Sequence, residues 1–367
     1  MENQDIYAKL GKHLSRLGMG YPYKDDLIEI LKENYSPSEA EVALLLPTGV
    51  APMQPVGVDE ILKTVDLSRD GLVKVLESLT ERGLLFCGET EDGDRGYALH
   101  QVGFGFPQSF FWKGEDTPHA RNMARAMAKY FNRNVTQEAY TAQTKPYRYI
   151  PVKQSLDPGT QAVVPYNSME KIIEEAKLIA VAHCPCRVAY SLVGKGCEHS
   201  KEVCMKFNDL ARYVIDRGLA REITKAEAMD IIKLSEAEGL VHFVDNAEGE
   251  ILHNCNCCGC ACWNVGNIRR RKIPRDALMA TYFLRETDKD ACIGCGQCVE
   301  ICPVAALKLE DDIAVVDKEW CIGCGVCATV CPADALKIVK RSDKSCDLPA
   351  AKVCDLHNII LKESEQK

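Results

Sequence analysis

Residues 292–303 read CIGCGQCVEICP, and residues 321–332 read CIGCGVCATVCP. Both follow the pattern C-x2-C-x2-C-x3-C-P, and the second copy lies 29 residues after the first. Chance does not produce that spacing twice. The first copy carries Cys292, Cys295, Cys298 and Cys302, and the second Cys321, Cys324, Cys327 and Cys331. Two residues between successive cysteines let neighbouring thiolates wrap one compact centre. Gly294, Gly296, Gly323 and Gly325 permit the tight backbone approach this needs. The proline after each fourth cysteine turns the chain away.

This is the ligand spacing of 4Fe-4S clusters. Residues 288–340 resemble bacterial dicluster ferredoxins throughout, with no departure at any ligand position. The resemblance implies a pseudo-twofold domain with two 4Fe-4S clusters, in which the fourth cysteine of each run serves the other cluster. Cys292, Cys295, Cys298 and Cys331 are then expected on one cluster, and Cys321, Cys324, Cys327 and Cys302 on the second. The segments AALKLEDDIAVVD and DALKIVK supply the cores of the two halves. A pair of zinc knuckles is the competing reading, but structural zinc sites use separated C-x2-C pairs.

Nine further cysteines lie in the middle of the chain. HCPCR carries Cys184 and Cys186, Cys197 and Cys204 follow, and NCNCCGCAC carries Cys255, Cys257, Cys258, Cys260 and Cys262. Five thiols within eight residues cannot all be core. Adjacent cysteines such as Cys257 and Cys258 point different ways, so the clump either touches two metal centres or leaves ligands over. At least one additional iron–sulfur cluster is expected on these nine; a zinc site is the alternative, because sulfur coordination suits zinc too. His183, His199 and His253 lie beside the cysteines and are expected to pack or hydrogen-bond around the ligands. Arg187 is expected to offset cluster charge, and Trp263 and Trp320 to shield ligands from water. The basic run Arg269 to Lys272, with Arg275, either neutralises clusters, docks an acidic partner or is a solvated face. Cys87 reads as core, and Cys346 and Cys354 as non-ligands.

A chain of 367 residues allows two or three domains. Apolar content of 46% and charged content of 27% are those of a globular protein. The formal charge is −8 with every thiol counted neutral, and cluster ligands must be deprotonated to bind, which adds negative charge. That argues against general nucleic-acid binding and suits a basic face on a redox partner protein. Disulfide scaffolds with many cysteines are mostly small and secreted. The opening MENQDIYAKLGKHLSRLG shows no export signal or twin-arginine leader, and no run of about 18 apolar residues would span a membrane. The cysteines are therefore read as reduced metal ligands in the cytoplasm, with no membrane insertion.

The expected fold is multidomain α+β. Residues 1–135 form a winged-helix-like domain for protein docking. Residues 136–287 form a cysteine-rich α+β domain, residues 288–341 the dicluster ferredoxin domain, and residues 342–367 a tail. In the first, helices follow Pro37, span Val58 to Val65, and run from the cap Ser68 to Gly83, with Leu72, Val73, Leu76 and Leu79 at helical spacing. LLFCG and YALHQ then flank a hairpin, and Thr117-Pro118 starts a helix to about Phe131. The middle region opens with the extended KPYRYIPVKQSLDPGTQAVVPY. Ser168 caps a helix, and LIAVAHCPCRVAY is a strand running into a cysteine loop. Thr224 and Glu227 read as a capping box for a helix to Gly239, and LVHFV and EILHN as a hairpin delivering the cysteine clump. The order of winged-helix-like segment, CPCR loop, NCCGC-type clump and dicluster domain resembles large ferredoxin-type proteins of anaerobes, which implies redox work without naming a substrate.

No G-x-G-x-x-G follows a strand and no Walker A sequence occurs, so neither a nicotinamide nor a flavin site is expected. The expected function is electron transfer, alone or as the electron-input subunit of an anaerobic oxidoreductase, with electrons exchanged through protein partners. Two alternatives are a redox-sensing DNA-binding regulator and a reductase with an open-site middle cluster. Against the first, Arg69, Lys74 and Arg82 of the candidate recognition helix are cancelled by Asp70, Glu77 and Glu81, and the wing ETEDGDRG is acidic.

Overall fold

The computed structural model describes residues 5–65, 67–139, 142–156, 168–342 and 349–365. The second half of the proline-punctuated stretch and Cys346 lie outside the described residues.

The N-terminal part is a helical layer closed by a small sheet. Ser36 caps the helix Pro37–Ala43 in a reciprocal capping box with Glu39. The helix Val58–Leu62 is shorter than its apolar pattern suggested. Ser68 caps Arg69–Glu81, whose Leu72, Leu76 and Leu79 are fully buried. Each such leucine contributes roughly 1.5–3 kcal/mol on leaving water. Strand β1 (Val56–Gly57) pairs with β3 (Arg95–Leu99), which pairs with β2 (Leu85–Glu89), all antiparallel. Two earlier helices, Ile6–Leu14 and Asp25–Asn34, pack against this layer. The helix Pro118–Tyr130 follows, capped by Thr117.

The middle part is built on a six-stranded antiparallel sheet. Its strands are β4 (Tyr147–Ile150), β5 (Ile179–His183), β6 (Glu202–Phe207), β7 (Arg221–Glu222), β8 (Val241–Asp245) and β10 (His253–Cys257). Their order is β4-β8-β10-β6-β5-β7. The short strand β9 (Ala247–Gly249) lies between β8 and β10 in the chain. Ser168 caps the helix Met169–Glu175, which packs on Lys225–Ala237. At Thr224 half of the capping box forms: its hydroxyl accepts from the Glu227 amide, while the Glu227 carboxylate accepts from Arg221 instead. The helix Asn208–Asp216 joins this part to the first. Its Tyr213 hydroxyl donates to the Leu85 carbonyl at 2.9 Å, and Arg217 pairs with Glu77 at 3.0 Å.

Two expectations change. HCPCR is not a loop: Pro185 occupies the first turn of a helix, Pro185–Leu192, whose φ proline presets. The segment expected as a tail is folded over its described residues. There β15 (Ala350–Lys352) pairs in parallel with β9, and the helix Val353–Glu365 follows. That helix buries Val353, Leu356, His357 and Ile360, an apolar stripe that needs cover.

The C-terminal part has two antiparallel pairs, β11 (Phe283–Thr287) with β14 (Leu336–Lys340) and β12 (Leu307–Glu310) with β13 (Ile313–Val316). Among the described residues no helix is long and apolar enough to cross a membrane.

Candidate metal centres

Each C-terminal cysteine run opens as a loop and closes as a helical turn. Gly294 and Gly296 have φ of 65° and 78°, and Gly323 and Gly325 have φ of 63° and 74°. A side chain at Gly323 would also strike the Phe283 carbonyl, so only glycine fits there. The loops end in the helical turns Gln297–Ile301 and Val326–Val330, which pack on each other. That packing exchanges the last cysteines. Cys292, Cys295 and Cys298 line a cavity together with Cys331. Cys321, Cys324 and Cys327 line a second together with Cys302. The Ala306 amide donates to Cys302 Sγ at 3.3 Å, and the Ala335 amide to Cys331 Sγ at 3.4 Å. Such donors favour thiolate and tune a bound centre.

Arg285 on β11 had no sequence signal. It is buried, lines the second cavity and reaches Cys298 of the first, with Nη2 at 4.0 Å from Sγ. Burial pushes the Cys298 thiol up, and Arg285 opposes that shift. For Cys327, burial pushes the thiol up to about 12 against the same arginine. Arg275, in the run left open between three roles, is also structural: its guanidinium donates to the Cys321 carbonyl. Arg270 of that run donates to the carbonyls of Gly259, Cys260 and Cys262, and Lys272 lies over the Trp320 ring.

The nine middle cysteines separate into two groups. Six of them, Cys184, Cys186, Cys204, Cys255, Cys257 and Cys262, line one cavity. The sheet explains the convergence. Cys255 and Cys257 stand two apart on β10 and share a face. Cys204 lies on the neighbouring β6, opposite Ala182 of β5, and β5 leads directly into Cys184. Successive thiols interact around the cavity: Cys184 with Cys186, Cys186 with Cys262, Cys262 with Cys257, Cys257 with Cys255, and Cys255 with Cys204. Trp112, Phe131, Tyr147, Phe243 and Trp263 supply apolar walls. Trp263 stacks on Phe131 at 5.6 Å.

The other three, Cys197, Cys258 and Cys260, meet His199. Their three Sγ atoms and a ring nitrogen all lie within 4.8 Å of one another. His199 therefore joins the thiols directly. His183 packs instead, its Nδ1 at 3.3 Å from the Trp112 carbonyl. His253 lines the six-thiol cavity and pairs with the buried Asp245 at 3.0 Å. Cys87 is buried in β2, and Arg217 donates to its sulfur at 2.9 Å. Cys354 accepts from Gln54 and Asn358 at the surface.

Two buried cations test whether the six-thiol cavity suits an anionic cluster. Lys206 is 2% exposed and sits over the Trp112 ring at 4.8 Å. Burial alone would lower its pKa, but the Cys204 and Cys255 thiols outweigh burial and raise it. Arg187 is 1% exposed, and its guanidinium has no carboxylate partner among the ion pairs of the described residues. Burial opposes its charge, and the sulfurs of Cys184, Cys258 and Cys257 favour it. Buried cations without anions are costly, and metal-bound thiolates are anions. The donor set fits.

Crossed cysteine runs form a dicluster-type unit beside a cysteine-rich region with thiol-lined cavities and buried cations. Residues 291–335 match the 4Fe-4S dicluster domain family. A search of curated proteins finds no match to the chain.

Proposed function

We propose that the protein is an electron carrier, or the electron-input subunit of a larger oxidoreductase, working in the cytoplasm through protein partners. The observation that carries this reading is the pairing of cavities, each lined by three cysteines of one run and the fourth of the other. Cys292, Cys295, Cys298 and Cys331 would hold one 4Fe-4S cluster, and Cys321, Cys324, Cys327 and Cys302 the other. A further iron–sulfur cluster would occupy the six-thiol cavity. When bound, such clusters supply reversible one-electron storage. The chain's residues bury the thiols, donate amides to them and place Arg285 between the two C-terminal cavities. Val152 donates its amide to the Cys324 carbonyl at 3.0 Å, and Gly259 abuts the Pro303 carbonyl, so the cysteine-rich part touches both runs. That proximity supports a relay from the middle centre to the dicluster unit.

The N-terminal three-helix, three-strand arrangement supports a winged helix used for protein docking. Three of its basic residues are paired, Arg69 with Asp59, Arg82 with Glu39 and Arg95 with Glu77, which reduces the charge free for phosphate contacts. A gel-shift series at low salt tests this point, and sequence-selective binding would overturn it.

Iron and acid-labile sulfide per chain after anaerobic purification, read with EPR, test the whole reading. About twelve irons support three cubane clusters; about eight would leave the six-thiol cavity without one. Colourless protein with no reducible paramagnetic centre would end it.

A further inference from the structure

The group formed by Cys197, His199, Cys258 and Cys260 is separate from the six-thiol cavity, and its dimensions differ from those a cluster needs. Cys197 Sγ lies 3.9 Å from Cys258 Sγ, and Cys260 Sγ lies 3.8 Å from His199 Nδ1. All four donor atoms fall within 4.8 Å of one another. A tetrahedral zinc ion with bonds of about 2.3 Å to sulfur and about 2.0–2.1 Å to nitrogen puts the tetrahedron's edges at about 3.5–3.8 Å. A cubane carries its four terminal thiolates on four different irons, and the ligands must stand farther apart. Three sulfurs and one imidazole also form a recurrent structural zinc donor set, of the closed kind with no open position.

We propose that these four residues bind one zinc ion, and that this ion is structural and distinct from every iron–sulfur centre of the chain. A second observation points the same way. The buried guanidinium of Arg187 interacts with Cys258 as well as with Cys184 and Cys257. Three thiolates around a divalent ion leave one net negative charge, which this cation offsets. Binding displaces the three thiol protons and involves no electron transfer.

The site joins two stretches that the backbone ladder does not. Cys197 and His199 lie between the helix Pro185–Leu192 and β6, where the Ser200 amide donates to Glu238 at 2.8 Å. Cys258 and Cys260 flank Gly259, whose Cα faces the Pro303 carbonyl. Zinc here pins the turn that carries the cysteine clump to the loop that precedes β6.

The test uses the full chain, produced with zinc and iron supplied and purified without oxygen. Zinc, iron and sulfide are counted, and the zinc edge is read by X-ray absorption. The expected result is about one zinc per chain with about three sulfurs and one nitrogen in its shell. Cys197→Ser should lose the zinc and keep the iron and sulfide. His199→Cys should keep the zinc and change its shell to four sulfurs, a readout that holds even if Cys197→Ser folds poorly. Wild-type protein without zinc overturns the proposal. So does zinc in an oxygen-rich shell, or a Cys197→Ser protein that folds but loses iron and sulfide in proportion. The last would assign these thiols to a cluster. Loss of iron with zinc retained would instead count against the electron-transfer reading alone.

Discussion

Cys257 and Cys258 are consecutive in the chain but belong to different donor groups. Cys257 ends strand β10 and faces the six-thiol cavity, and Cys258 joins Cys197, Cys260 and His199. The strand ends between them, and Cys258 stands in the segment that follows. One dipeptide thus divides its thiols between two donor groups, with Arg187 interacting with both.

Substitution of these neighbours should have different consequences. Cys257→Ser is expected to remove up to about four irons per chain while the dicluster EPR signals persist. Cys258→Ser should leave the iron count unchanged. Metal analysis of the two variants, prepared side by side, checks this; equal iron loss in both would contradict the division.

The crossed runs predict a pattern in double variants. Cys331→Ser and Cys292→Ser should damage the same cluster, so the pair loses about four irons, no more than either alone. Cys331→Ser with Cys321→Ser should lose about eight. Uncrossed runs would reverse the two outcomes, and iron with sulfide analysis distinguishes them.

Arg285 should raise the reduction potentials of both C-terminal clusters, because a buried cation stabilises the more negative, reduced state. Arg285→Gln is expected to lower both, on the order of 100 mV for a charge several ångströms away at an effective dielectric near 20. Arg285→Lys should restore most of the shift. Spectroelectrochemical titration measures it, and a drop confined to one cluster would show that the arginine serves only that one.

Glu77 ties the N-terminal part to the middle part through Arg217, and it also binds Arg95 and Tyr97. Glu77→Gln should loosen that junction by about 1 kcal/mol at neutral pH, since the site is partly open to solvent. Faster hydrogen exchange in β2 and β3, with the cluster spectra unchanged, is the expected readout. Unchanged exchange would mean that Tyr213 and the apolar contacts carry the junction alone.

Local spacing made the C-terminal site readable. Eight cysteines, four glycines and two prolines are set by contacts within each run, and a repeat of 29 residues announces them. Capping signals at Ser68, Thr117 and Ser168 were equally local, and each caps a helix. The HCPCR helix was missed because a cysteine flanked by proline carries no helical periodicity of its own. The folded C-terminal segment was missed because its apolar stripe is short and its strand pairs with β9, about a hundred residues away.

The amino-acid sequence by itself determined that thiols come in groups, which groups repeat, and where several helices begin, because those properties depend on neighbours along the chain. Tertiary structure decided the rest. Only the strand order β8-β10-β6-β5 brings Cys204 beside Cys255 and Cys184, and only the end of β10 at Cys257 parts it from Cys258 in the segment that follows. The buried cations Arg285, Lys206 and Arg187 acquire their meaning in the same way. A charge becomes functional when the fold removes it from water and gives it anions to face.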